Sequence, residues 1–281
     1  MKNILTVFLV LSGLSIKAQV KVVDKAIIKM KTEITFPENM GGNSPGEGDR
    51  MMMMGGATGM EANTTMYYRD DMTKVESTSD FGNNIIITDK KNKKTTTLTE
   101  AMGRKFGFYS TEEDEKAMRS RMDSSRNARR DSLEKAGIPI SKPAKPEVEY
   151  TNETKKIAGY TCKKAILKSK NQRGEVNSTI VWYCPDFKMA EGFSFGGGTG
   201  RGMMSMAGVN GLDQIEGFPM EYQMERNNGM KMHMTVTKVQ LDAVIDDKTF
   251  EIPKGYDIKP MKEMQGGDGR MMMRIGGGGN Q

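Results

Sequence analysis

The chain has 281 residues, of which 32 are glycine, 27 methionine, two cysteine, one histidine and one tryptophan. Glycine and methionine at that level exclude a chain packed into core from end to end. The formal charge of +6, which falls to +4 on losing Lys2 and Lys17 with a leader, is too mild to point to nucleic acid.

Residues 1–18 read as a secretory signal. Lys2 supplies the basic start, Ile4 to Leu14 the apolar run, and Ser15 to Ala18 a small-residue cut. The run is shorter than the ~20 residues a transmembrane helix needs, so cleavage near Ala18 is expected rather than a retained span. No cysteine follows it, so no lipid anchor is indicated. The mature protein is expected to be exported, periplasmic or secreted, and soluble.

Residues 19–260 are expected to form a single β-rich domain interrupted by composition-biased stretches at 40–60 and 187–214, with a Gly/Met-rich tail over 261–281. Glycine runs cannot offset their ordering entropy with buried area, so these stretches read as flexible. Between them the periodicity is that of strands: 21–36, 64–77, 84–88, 94–99 and 104–110, separated by polar turns, as in an antiparallel meander. Ser110 with Glu113, or Thr111 with Asp114, forms a capping-box pattern, and Gly137 and Pro139 give a stop, which predicts a helix over about 112–135. Met118, Met122, Leu133 and Ala136 are sparse among Arg119, Arg121, Arg126, Arg129 and Arg130. The helix therefore reads as mostly solvated, with an anion- or membrane-facing role as the alternative.

Two hairpins follow. A turn centred on Arg173 joins 157–170 to 176–184 and places Ile166 opposite Ile180, Lys164 opposite Trp182 and Cys162 opposite Cys184. Directly opposed cysteines in an exported protein predict a disulfide. The second hairpin joins Pro219–Arg226 to Met230–Val239 through Asn227, Asn228 and Gly229, the glycine accepting the left-handed conformation of a turn-plus-bulge loop. Its register sets Tyr222 opposite Met234, Met224 opposite Met232 and Gln223 opposite His233. One face is then Met220, Tyr222, Met224, Met232, Met234 and Val236, and the other is polar.

The segment from Tyr150 to Ala165, with Ile157-Ala-Gly-Tyr-Thr-Cys-Lys-Lys-Ala165 at its end, resembles an exported bacterial family catalogued only as a domain of unknown function. Gly217-Phe-Pro-Met-Glu-Tyr222 and Phe250-Glu-Ile-Pro-Lys-Gly-Tyr256 carry the same likeness, which covers most of residues 21–260. The sheet is similar to the lipoprotein-carrier (LolA and LolB) type. That resemblance implies a curved antiparallel sheet or half-barrel with helices over its concave side, which binds acyl chains there.

Catalysis is not expected. His233 sits on the predicted polar face, and one histidine with two bonded cysteines builds neither a Cys/His pair nor a Ser/His/Asp triad. No cofactor is indicated, since the glycine runs lack the Lys-Ser/Thr ending of a phosphate loop. The methionines leave three readings open. They can be plain core, they can line a concavity for a lipid or other apolar ligand at Met220, Tyr222, Met224, Met232, Met234 and Val236, or the tracts Met51, Met52, Met53, Met54 and Met271, Met272, Met273 can capture copper or oxidant. A structural envelope protein with no small ligand is the remaining alternative.

Overall fold

The structure is a computed structural model that describes residues 20–37, 59–137, 145–170, 176–190, 209, 211–225 and 229–265. Residues 1–18, expected to be a signal, the tracts Met51–Met54 and Met271–Met273, and the tips of the two hairpins read from the sequence lie outside the described residues.

The expected antiparallel sheet is present, large and not closed into a barrel. A first meander runs from β2 (Lys25–Thr35) through β3 (Gly59–Arg69), β4 (Met72–Ser79), β5 (Gly82–Asp89) and β6 (Lys94–Ala101) to β7 (Arg104–Thr111). The long helix α1 (Glu112–Lys135) separates it from β8 (Glu147–Ile157), β9 (Tyr160–Lys170), β10 (Val176–Cys184), β12 (Phe218–Glu225) and β13 (Lys231–Leu241). The two halves join where β13 pairs with β2, and β14 (Asp257–Pro260) adds to β7, giving the twelve-stranded order β14-β7-β6-β5-β4-β3-β2-β13-β12-β10-β9-β8. All of these pairs are antiparallel except β14 on β7, and two short strands, β1 (Lys21–Val23) and β11 (Phe187–Met189), form a separate parallel pair.

The tight turns explain the short connections. Asp70, Met102 and Ala158 all take positive φ, and Met102 and Ala158 are each followed by a positive-φ glycine, Gly103 and Gly159. Two successive left-handed residues match the right-handed twist of the flanking strands. The run 64–77 is divided at Asp70 into two strands, and a hairpin at Ala158-Gly159 adds β8 ahead of the strand expected from 157. Ordered structure also enters the stretches read as loose. Phe187 is buried in β11, Leu212–Gln214 form a single turn of 3-10 helix, and Met261 is buried in the short helix α2 (Met261–Gln265).

Helix α1 begins in a capping box. The Thr111 hydroxyl accepts from the Asp114 N–H at 3.3 Å while the Asp114 carboxylate accepts from the Thr111 N–H at 3.0 Å. Lys262 of α2 lies 3.2 Å from the same carboxylate. Beyond this root the helix leaves the sheet: β7 is its main neighbour among the described elements, and every residue from Arg119 to Ser132 is exposed. The carrier resemblance implied a helix over the concave side, and α1 does not lie there, because it offers too few apolar positions to be held on a sheet.

The chain from Leu241 to β14 passes from the middle of the sheet to its far edge. Arg69 pins it, donating to the Ile245 carbonyl at 2.9 Å, pairing with Asp247 at 2.7 Å and lying 4.9 Å from the centre of the Phe250 ring. Ile245 and Phe250 are both buried.

Candidate functional site

Both hairpin registers are those read from the sequence. Tyr222 faces Met234, Met224 faces Met232 and Gln223 faces His233, while Ile166 faces Ile180 and Lys164 faces Trp182. The six residues expected to line a ligand concavity are therefore brought together. Met220, Tyr222, Met232, Met234 and Val236 are all buried in the hydrophobic core and Met224 packs half-buried against it. Thr32 and Ile34 of β2 extend that layer, facing Met234 and Met232. Burial pushes the Tyr222 hydroxyl up to about 12, keeping it neutral at any ordinary pH.

The same face continues into the first meander as a ladder of directly opposed residues. Val239 faces Ile28, Ile28 faces Met66, Met66 faces Val75, Val75 faces Ile86, Ile86 faces Thr97 and Thr97 faces Phe108. One residue per strand crosses seven strands, because opposed positions share a face. Exposure changes along it: Ile28 is 0% and Met66 1% exposed, whereas Val75, Ile86, Thr97 and Phe108 are only half-buried. Among the described elements none packs extensively across that face of β4, β5 and β6. A parallel row of Ser77, Asn84, Thr99 and Phe106 borders it, with Ser77 bonded to Thr64 and Asn84 to Thr99 at 3.1 Å each.

Across β12, β13, β2 and β3 the opposite face carries charge, whereas over β5 to β7 it carries Ile85, Ile87, Leu98 and Tyr109, with Ile87 and Leu98 buried. Lys155 of β8 reaches across β9 and β10 to place its Nζ 2.7 Å from both carboxylate oxygens of Glu221 on β12 and 4.8 Å from the centre of the Trp182 ring. The Glu221 side chain is 7% exposed, so this lysine compensates a carboxylate largely withdrawn from water. His233 lies next along the row, with Nε2 3.0 Å from the Thr235 hydroxyl and 3.4 Å from Glu221, and Nδ1 3.6 Å from Glu33. Lys31 then bridges Glu33 and Glu61 at 2.9 and 2.8 Å. Those two carboxylates push the Lys31 ammonium up to about 12, and Lys31 in turn holds Glu33 below the usual carboxylate range. Sequence reading places His233 on this polar face but misses the row. Its members lie on five strands, and only the non-local pairing of β2 with β13 assembles them.

The expectation of a disulfide is corrected: Cys162 and Cys184 are unbonded, buried thiols. The β9–β10 ladder ends one step earlier, at Lys163 facing Tyr183, and β10 carries a bulge against β12 between Trp182 and Tyr183. Each sulfur is then engaged by its own turn. Cys162 donates to the Tyr160 carbonyl at 3.7 Å, and Cys184 is hydrogen-bonded by the backbone of Asp186 and Phe187. Desolvation pushes the thiols up to about 12 and about 11, so neither is a nucleophile at neutral pH.

Fold and faces together define an open, mainly antiparallel sheet protein with a packed methionine and aromatic centre, an apolar row running out of it, and a self-paired charged row behind. The family described as "Domain of unknown function (DUF4412)" matches residues 47–256, and the chain belongs to that family. No curated protein matches it. Among solved structures the chain is similar to PNGF-II, at 16% identity and a TM-score of 0.35 over 85% of this chain, and spans about a third of that protein's length (32%). It is also similar to a putative outer membrane lipoprotein-sorting protein domain from Vibrio parahaemolyticus, at 7% identity and a TM-score of 0.27, covering 81% of this chain and 89% of that one. No helix among the described residues is long and apolar enough to cross a membrane.

Proposed function

We propose that this chain is a non-catalytic binding protein of the bacterial cell envelope, exported by its N-terminal signal, that seats a lipid acyl chain or similar apolar ligand on the open face of its first meander. The observation that carries this reading is the ladder itself. The buried pair Ile28 and Met66 continues, without change of face, into Val75, Ile86, Thr97 and Phe108, which remain half-buried where no described element packs extensively over them. A linear apolar ligand along the row would complete their burial, at about 25 cal/mol for each Å² removed from water. The bordering Ser77, Asn84 and Thr99 would meet a polar end group. The inner methionines and Tyr222 would form the closed end of that trough, since adaptable thioether side chains let such a layer repack around different ligands.

The absence of catalysis is part of the proposal. The carboxylates and amines of the charged row are committed to one another, and both thiols are protonated. The copper alternative concerns tracts outside the described residues and has no specific observation in its favour.

Two measurements test the reading. Mass spectrometry of organic extracts from natively expressed protein should show bound acyl chains. Titration with a fluorescent long-chain fatty acid should give saturable binding that Ile86→Glu, placed in the middle of the half-buried row, weakens at least tenfold while leaving the unfolding transition in place. A clean extract together with no saturable binding would overturn the proposal.

A further inference from the structure

Helix α1 is about 36 Å long at 1.5 Å per residue, and nearly all of it stands clear of the sheet. Its sequence is not uniform around its axis. At 100° per residue, Met118, Arg119, Met122, Arg126, Arg129, Arg130 and Leu133 fall within an arc of about 120°. The opposite side presents Ser120, Ser124, Asn127, Ala128 and Asp131, with Lys135 at its C-terminal end and Arg121 at its border. From Lys116 to Asp131 there are six basic residues and two acidic ones, Asp123 and Asp131. The four arginines of the arc meet little counter-charge. Arg119 lies 3.6 Å from Glu115 and Arg126 3.8 Å from Asp123, both with side chains 68% exposed, and neither Arg129 nor Arg130 has a salt bridge among the described residues. Met122, at the centre of the arc, is 47% exposed.

We infer that this arc is a docking surface for the anionic headgroup plane of a lipid bilayer, on which α1 lies along its length. Three features select that partner. Four guanidiniums on one side of a helix complement a plane of phosphates, each able to take two parallel N–H bonds. Met122 and Leu133 lie between the arginines and Met118 at the edge of the arc, where the boundary between headgroups and acyl chains accepts both kinds of side chain; a nucleic-acid backbone offers nothing to the apolar ones. The short, mostly uncharged side chains on the other face suit the side left in water. Glu112 and Glu115 of the acidic first turn fall on the same arc, but Glu112 is paired with Lys93 and Lys116, and Glu115 lies beside Arg119 with its side chain 20% exposed. The capping box and Lys262 hold this end against the sheet, so the surface is the helix from Met118 outward. The surface is separate from the apolar ladder and requires nothing of it. It would hold the protein at a membrane through α1.

The test is sedimentation of the protein with vesicles of phosphatidylcholine carrying one-third phosphatidylglycerol, against vesicles of phosphatidylcholine alone. Binding to the anionic vesicles should be at least tenfold stronger and should fall steeply with added salt. Replacing Arg119, Arg126, Arg129 and Arg130 together by glutamine should weaken it on the order of a hundredfold, from about 1 kcal/mol for each arginine near the surface with allowance for incomplete additivity. The corresponding lysine variant should stay within severalfold of wild type, and Met122→Ser with Leu133→Ser should cost about tenfold. Because these side chains lie on the outer part of the helix, the variants should keep the wild-type circular dichroism spectrum. Equal binding to both vesicles, no binding, or a glutamine variant indistinguishable from wild type would overturn the inference. So would an unchanged Met122→Ser/Leu133→Ser variant, or poly-glutamate held as tightly as the anionic vesicles, since either would indicate an acidic polypeptide as partner. Ile86→Glu should leave vesicle binding intact, which separates this test from that of the apolar ladder.

Discussion

Replacing Lys155 by methionine should be the most informative single perturbation of the charged face. It leaves the Glu221 carboxylate, 7% exposed, with His233 Nε2 at 3.4 Å as its remaining basic neighbour. Breaking a buried ion pair from one side costs about 3–5 kcal/mol, because the surviving charge stays uncompensated. Lys155 is itself 36% exposed, so solvent already screens the pair and a departing ammonium admits water to Glu221. The expected cost is therefore nearer to about 2 kcal/mol. Glu221→Leu should be milder, about 1 kcal/mol or less, since an abandoned Lys155 can swing outward. The double variant should return to within about 1 kcal/mol of wild type, its apolar pair filling the space over Trp182. Urea denaturation followed by Trp182 fluorescence measures all four proteins, with the reporter 4.8 Å from the Lys155 Nζ. If Lys155→Met cost no more than Glu221→Leu, or if the two penalties simply added in the double variant, the view of Glu221 as a buried charge held by one lysine would fail.

Gly217→Ala should cost on the order of 3 kcal/mol or more, because an added Cβ would lie 2.2 Å from the Cys184 carbonyl oxygen at a φ of +150°; a melting temperature lowered by less than a few degrees would contradict that geometry. Thr32→Val should be neutral or stabilising by about 1 kcal/mol in urea titrations, since its buried hydroxyl lacks a hydrogen-bond partner among the described residues. Stability should decline as pH rises above 9, the ordinary cysteine value, towards about 11 and about 12, as the unfolded chain releases thiol protons that folded Cys184 and Cys162 retain. The Cys162→Ala/Cys184→Ala protein should show a shallower alkaline slope. In acid the signs reverse for α1: the Thr111 N–H holds Asp114 below its ordinary 3.8, and Lys116 with Lys93 holds Glu112 down at about 2. Their support is therefore present above the ordinary carboxylate range and lost as pH falls towards about 2, and Thr111→Ala should lose part of the helical signal already at neutral pH.

Local pattern makes the hairpins legible. Alternation fixes which residues share a face, and the lengths of the two loops fix the register, so Tyr222 against Met234 and Ile166 against Ile180 follow from sequence alone. What alternation cannot state is which distant strands become neighbours. β2 and β13 stand near opposite ends of the described chain, yet their pairing sets Met30 opposite Val236 and fuses two meanders into one sheet. The ladder from Ile28 to Phe108 is invisible for the same reason, each strand contributing a single residue. The Asp70-Asp71 turn lacks the glycine that would mark it, so β3 and β4 read as one run. For the cysteines, the hairpin register is as read, but the ladder stops one pair short of them.

An open sheet of twelve strands has two edges that must be kept from pairing with another chain. At one end β8 is charged along its length: Glu147, Glu149, Glu153 and Lys156 are exposed, and the strand slips register against β9 between Tyr150 and Thr154. Charge and irregularity are both ways to make an edge a poor template. At the other end β14 is only four residues long and closes on Pro260, which has no N–H to offer, before α2 turns the chain away. With both edges blunted, what the sheet has left to offer a partner is its faces. One face of the second half is filled by the core, and the charged row behind it is self-paired. The half-buried row of Val75, Ile86 and Phe108 over β4 to β7 is where we place the ligand, and α1, rooted at Thr111 directly after β7, is the element we propose brings it to a surface. The ladder and the arginine arc share no residues. A protein that lost vesicle binding through α1 while keeping fatty-acid binding on the ladder would show that the division between them is real.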